Sequence, residues 1–591
     1  MIERNEQKQD DMWDLSELSK SGKDWDYDIE MIRNRSSEAK SYKGRLSLSA
    51  DNLYMALSYI KDCYMELERL GSWAMLNYSV DSTNADVQKR AGIYQQVEAE
   101  FSSTLSFFEP ELLQIDDEKL SSWLKEPRFE EYRRYIEKIR MFKEHILSEQ
   151  QESLLALYTP LSDSAQEAFQ DLNNIDMDFG YINGKKLTHS TFPAFMQEED
   201  DQTREKAYMQ LYGEYDKHKS VISRLYSSSI KNDIFLSKAR GYKSSLEMAL
   251  FADKIPESVY TSLIESIHQS FDIFHRYYSI RARIMGKESL RHWDVYLPLV
   301  KEQKTRHTYQ EAVALIKEAV APLGKEYQET LINGLTTEHW VDKYENKGKR
   351  SGAFSSGCYT GKPYILTNFE DEVISSVLTL IHEGGHSMHS YYSVRNNPFM
   401  SYNYTIFEAE VASTFNENLL FHYMIDKAKT KEEEAYLISK KLDDIVATLY
   451  RQTMFAEFEL KAHQQAESGL PTTTSWLREC YRNLLEEYFG PIMKLEDVSD
   501  LEALRIPHFY RAFYCYKYAT GISASIALSE KVLNGGEKER DDYLSFLKSG
   551  GSSFPLDALR KAGVDMSTTG PVKEATKYFK SLLDRFEALV P

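Results

Sequence analysis

Cysteine, proline and basic charge are the scarce quantities in this chain of 591 residues. Its four cysteines, Cys63, Cys358, Cys480 and Cys515, stand far apart with no CxxC pair, which excludes a disulfide framework. Fifteen prolines and 26 glycines leave few long loops. Lys and Arg number 72 against 92 Asp and Glu, a net charge of −20. An acidic field repels phosphate backbones, so nucleic acid and anionic membrane surfaces are poor partners. Solubility is the plain reading of that acidity, and a mild preference for cationic ligands the sharper one. No run approaches the roughly 18–20 apolar residues that span a bilayer. The opening MIERNEQKQDDMW has no apolar segment of the signal-peptide kind, so the expected address is cytoplasmic.

What is present is core material. Hydrophobic residues make up 42% and aromatic residues 13% of the chain, enough to bury a large interior without a metal to hold it together. A metal site here is therefore free to be catalytic. Apolar residues recur at three- and four-residue spacing from Asn52 to Leu124, Phe129 to Leu157, Gln202 to Ala252 and Pro256 to Gly286. That spacing predicts a mainly α protein. Around Asp178–Pro193 the pattern breaks into a short hairpin turning at Asn183–Gly184. It suggests a boundary between an N-terminal helical domain, 1–195, and a second domain, 196–591. A second break, Gly348 to Phe369, is punctuated by Gly352, Gly357 and Gly361, and its end, Pro363 to Phe369, reads as a strand.

The next segment, DEVISSVLTLIHEGGHSMHS, carries the chemistry. Val373, Ile374, Val377, Leu378 and Ile381 form an apolar helical stripe, which puts His382, Glu383 and His386 on a helix as H-E-x-x-H. Residues four apart share one helix face, so both imidazoles can reach a single ion. Two nitrogens and one oxygen suit Zn2+, with a fourth position left for water. Glu383, turned about 100° from His382, lies beside that water as a general base. Gly384 and Gly385 cost a helix about 1 kcal/mol each relative to alanine, and close approach of another element is the natural compensation. His389 lies in line with the two histidines, but three residues in line rise about 10 Å, too far to share one ion. A carboxylate from a second helix is required. In SYNYTIFEAEVASTFNENLLFHYM, Glu408 and Glu410 point about 160° apart. Glu410 shares a polar stripe with Ser413, Thr414 and Glu417, which makes it the expected third ligand and Glu417 a support for a ligating histidine.

Further on, IPHFYRAFYCYKYATG places His508 close to tyrosines at 510, 514, 516 and 518. Such a stripe is commonly core, yet its hydroxyls and imidazole are also the donors that stabilise an oxyanion. Tyr514 and Tyr518 are expected on one face, with Tyr516 turned away.

Taken together, GAFSSGCYTGKPYILTNF leading into LTLIHEGGHSMHSYY, the FEAEVASTFNE run, HFYRAFYCYKYATG and the early WDLSEL resemble the oligoendopeptidase F branch of the thimet-oligopeptidase group of zinc metallopeptidases. The resemblance spans nearly the whole chain. It implies a helical bowl- or clam-shaped body with a deep substrate channel, and a small β-sheet beside the H-E-x-x-H helix. It implies cytoplasmic cleavage of short peptides by a monomer or small homo-oligomer holding one Zn2+ per chain. His382, His386 and Glu410 match the family's ligands and Glu383 its base. His508, Tyr518, Tyr514 and Tyr516 fall in its substrate-contacting segment, where Arg511 stands in place of a tyrosine. The strand Pro363 to Phe369 and the glycine-rich run before it would hold a peptide by main-chain pairing. A zinc aminopeptidase and an inactive helical peptide-binding protein are the alternatives.

Overall fold

A computed structural model describes residues 2–301, 306–371 and 374–590. Val373 of the expected apolar stripe lies outside them. Helices dominate, with three small sheets among the described residues. Among those residues no helix is long and apolar enough to cross a membrane. The helices begin where the side-chain chemistry favours a start. Ser49 caps Ala50–Val80 through the Asn52 N–H, and Asp200 caps Asp201–Ala239 through Thr203. Each cap satisfies an amide that the helix itself leaves unpaired.

The chain forms two compact units, each assembled from three separated stretches. The first comprises Met1–Lys143, Lys304–Tyr423 and Leu528–Gly563. Its early helices, Gly22–Ser37, Ala50–Val80 and Ala85–Thr104, bury Trp25, Leu57, Ile60, Leu70 and Phe101 in one core. The Trp25 indole N–H donates to the Leu70 carbonyl inside it, at 2.9 Å. A smaller cluster of Trp13, Leu18, Leu76, Val80, Cys358, Tyr364 and Leu366 ties the amino-terminal segment to a three-stranded sheet. That sheet orders Val341–Asp342, Tyr364–Leu366 and Phe354–Ser356, the first pair parallel and the second antiparallel.

This arrangement corrects one expectation. Tyr364–Leu366 is the central strand, buried and paired on both sides, so it has no edge to offer a peptide. Of the two outer strands, Phe354–Ser356 lies within the glycine-rich run. The glycines and serines of that run let the sheet meet the H-E-x-x-H helix. Ser355 and Ser387 hydroxyls lie 2.8 Å apart, and a Cβ on Gly357 would come within 2.6 Å of Ser390.

The second unit comprises Glu144–Gln303, Met424–Ala527 and Val564–Pro591. The expected hairpin is here, Tyr181–Ile182 against Lys185–Lys186. Asn183 and Gly184 both have positive φ, 51° and 80°, the mirror-image turn that matches strand twist. The long helix Asp201–Ala239 buries its own Tyr208, Tyr212 and Tyr215. Arg204, also buried, meets Asp201 at 2.7 Å and Asp294 at 3.1 Å. A buried guanidinium needs such partners.

Candidate metal centre

The H-E-x-x-H segment lies in an unbroken helix, Ile374–Asn396. Gly384 and Gly385 are inside it, not at its end. A Cβ on Gly385 would fall 2.6 Å from the Ala412 carbonyl oxygen and 2.7 Å from the Ser413 Cα. A Cβ on Gly384 would meet Leu331 at 3.1 Å. The helix that presses on Gly385 is Ile406–Lys427, the one that carries Glu410. Backbone thus touches backbone where the helices carrying His382 and Glu410 cross, and the glycines' propensity penalty is the condition of that crossing.

Three donor atoms converge as a result. His382 Nε2 and His386 Nε2 are 3.2 Å apart, and Glu410 Oε2 lies 3.7 Å from the first and 4.0 Å from the second. Ligands about 2.1 Å from a tetrahedral ion stand roughly 3.4 Å from one another, so this spacing fits such an ion. The outer nitrogens are occupied. His382 Nδ1 faces Glu417 Oε1 at 2.9 Å, and His386 is held by the carbonyl of Ala409. Fixing one ring nitrogen in this way turns the other toward the centre.

The charge balance also suits a cation. Burial disfavours a charged His382, yet the hydrogen bond and charge of Glu417 outweigh it and raise the pKa to about 9. Burial, reinforced by the neighbouring His382 charge, lowers His386 to about 3. Glu383 is buried beside them. Desolvation raises its pKa to about 7, against the pull of His382, and the Ser355 N–H of the outer strand donates to its carboxylate.

The excluded candidates have their own places. His389 is fully buried, stacked on Tyr404 at 3.6 Å between ring centres, with neither ring nitrogen bonded to a polar partner among the described residues. Glu408 is buried too, and its Oε2 accepts from the Thr405 N–H at 3.1 Å where its helix begins. It serves the start of the helix that carries Glu410.

The tyrosine segment belongs to the second unit and is not one continuous helix. A short turn, Pro507–Tyr510, precedes Phe513 at φ 57°, and the helix begins only at Tyr516. The four-residue spacing of the tyrosines therefore comes from two different local structures. His508, Tyr514 and Tyr518 still assemble, all half-buried. The Tyr518 hydroxyl is 3.4 Å from His508 Nε2, and the Tyr514 ring lies 5.9 Å from His508 and 5.4 Å from Tyr518. Burial, followed by the charge of Arg511, lowers the pKa of His508. Tyr516 goes elsewhere, fully buried with its ring 5.2 Å from Tyr260. Tyr510 also packs inward, stacked on Phe169 at 4.6 Å.

A helical body with an H-E-x-x-H helix, a distant glutamate and supported histidines defines a metallopeptidase. The comparisons agree. Residues 194–578 match peptidase family M3, and residues 111–179 match the family described as oligopeptidase F. An oligoendopeptidase F homolog of Borreliella burgdorferi is 41% identical over 589 residues, covering 100% of both chains. The structure of oligoendopeptidase-F from Enterococcus faecium superposes with a TM-score of 0.74 at 31% identity, covering 96% of this chain and 99% of that one. A crystal structure from Chlamydophila abortus superposes over 100% of both chains with a TM-score of 0.94 at 36% identity. The chain belongs to peptidase family M3. It is an enzyme, a metalloendopeptidase.

Proposed function

We propose that this enzyme is a zinc-dependent oligoendopeptidase that hydrolyses internal bonds of short peptides, with Glu383 as general base. The observation that carries this reading is the convergence of two imidazole nitrogens and one carboxylate oxygen within 4.0 Å, with Glu383 buried beside them. His382, His386 and Glu410 would hold one Zn2+ per chain, a choice the N, N, O donor set favours and metal availability completes. When bound, zinc supplies Lewis acidity, which brings the pKa of water towards ~7 and polarises the peptide carbonyl. Glu383 accepts the proton of the attacking water and passes it to the departing amine. Glu417 and the Ala409 carbonyl keep the two imidazoles turned toward the ion.

His508 and Tyr518, backed by Tyr514, are assigned the donors to the carbonyl oxygen as it gains charge. Their support is the family resemblance and their own assembly. Tyr516, buried against Tyr260, is left out. The outer strand Phe354–Ser356 is assigned to main-chain pairing with the peptide, which tolerates many side chains. The reading takes residues 1–195 as an N-terminal helical domain, 196–591 as the catalytic domain, the cytoplasm as the location, and a monomer or small homo-oligomer as the working form.

Glu383→Gln tests it. The variant should keep stoichiometric metal and cut a quenched fluorescent peptide about 10²–10⁴-fold more slowly. Near-normal turnover would remove Glu383 from the mechanism. An N-acetylated peptide in the same assay should be cleaved, which an aminopeptidase would not do.

A further inference from the structure

One buried carboxyl of the second unit has no part in the scheme above. Glu459, in the helix Arg451–Glu467, is fully buried. Its Oε1 accepts the N–H of Phe513 at 3.0 Å. Cys515 lies beside the same carboxyl, and its thiol and amide favour the charged form, while Oε2 has no hydrogen-bond partner among the described residues. Phe513 and Cys515 flank Tyr514, so the chain is gripped on both sides of that tyrosine.

The grip holds an uncommon shape. Phe513 lies in the left-handed region at φ 57°, where a bulky residue persists only if its surroundings impose it. The Phe513 ring rests on His463, centres 4.5 Å apart, and His463 Nε2 meets Asp233 at 3.2 Å. With Phe513 and Cys515 turned inward, Tyr514 is turned outward to His508 and Tyr518.

We propose that Glu459 is a positioning residue for peptide hydrolysis, clamping the turn at Phe513–Cys515 so that His508, Tyr514 and Tyr518 hold one geometry. The proposal rests on the donor role given above to His508 and Tyr518. Burial raises the pKa of Glu459 to about 8 and that of the Cys515 thiol well above its usual range. Near neutral pH the clamp is mainly an uncharged acid facing an intact thiol. An uncharged acceptor can be imitated by an amide, whereas a hydrocarbon of similar volume leaves the Phe513 N–H buried and unbonded.

The test compares Glu459→Gln, Glu459→Leu, Tyr518→Phe and His508→Ala with the unmodified enzyme on one quenched peptide, with metal content measured throughout. Glu459→Leu should lose about 10²-fold in kcat, the scale of a small misplacement of catalytic groups, with KM within about twofold and metal unchanged. Glu459→Gln should stay within about threefold of the unmodified enzyme. Wild-type kcat in Glu459→Leu beside a slow Tyr518→Phe would overturn the clamp alone, as would a Gln variant no faster than Leu. Wild-type rates in both Tyr518→Phe and His508→Ala would overturn the donor assignment and the clamp with it. If Glu459→Leu does not fold, hydrogen exchange decides on the unmodified enzyme and Glu459→Gln. Protected amides at Phe513 and Cys515 in both support the clamp, and exchange at free-loop rates overturns it.

Discussion

Two clusters among the described residues offer nearly the same donors, and one of these two has the form of a metal site. His382, His386 and Glu410 gather in the first unit, and His268, Glu457 and Glu487 in the second. In the second cluster the protein's own cations already fill the centre. His268 Nε2 is 2.7 Å from Glu457 and its Nδ1 is 3.7 Å from Glu487, so both ring nitrogens face carboxylates. Lys461 lies 2.8 Å from Glu457 Oε1, and the Tyr488 hydroxyl donates to Oε2 at 2.9 Å. Burial would raise the pKa of Glu457, yet His268 and Lys461 bring it below its ordinary value. The charge is settled internally, as in a structural ion pair. In the first cluster each histidine spends one nitrogen on an acceptor outside the centre and keeps the other for it. An inventory of ligand types does not separate the two clusters. The direction in which the second ring nitrogen is tied does.

That contrast can be broken at either end. The largest effect is expected from His386→Ala, which should abolish both bound metal and peptide turnover. Stoichiometric metal after dialysis would show that the ligands had been misassigned. Glu417→Gln touches only the outer tie of His382, and should weaken metal affinity about 10–100-fold in a competition titration with a chelator. An unchanged affinity would mean that the tie is incidental. The smallest effect belongs to His268→Ala, which should leave metal content and turnover as they were and reduce stability by about 1 kcal/mol.

The second cluster also has a pH signature. The hydrogen bond that His268 donates to Glu457 raises the pKa of His268 above 6.5. Its stabilising contribution is therefore complete below 6.5 and is lost as pH rises through the raised value. Thermal melts across roughly pH 6 to 9 should lose that component of their slope in the variant. An identical slope would remove His268 from the balance.

How much of this was legible beforehand follows from the range of the interactions involved. His382, Glu383 and His386 could be placed because helical spacing is local. Glu410 and Glu417 could be chosen over Glu408 because 100° per residue sorts a helix into faces. The glycines pointed to a close neighbour without naming it. The identity of that neighbour, Ala412 and Ser413, needed the fold.

The tyrosine segment reaches its expected grouping, Tyr514 with Tyr518 and Tyr516 turned away, by another route. Its four-residue spacing imitates one helix, while the left-handed Phe513 and the bond to Glu459, more than fifty residues earlier in the chain, break it. The strand at Tyr364–Leu366 was readable as a strand but not as the central one. Its second partner, Val341–Asp342, is two residues long and carries no strand pattern of its own.

The contact between Gly385 and the Ala412 carbonyl has a consequence for how this enzyme tolerates change. Where side chains separate two helices, every substitution at the crossing resets the gap between them. Here main chain rests against main chain, so the spacing of the imidazoles from Glu410 is set at this point by peptide geometry and not by an intervening side chain. The surrounding hydrophobic interior is then free to drift in composition, while the one position that must stay bare is the smallest in the motif.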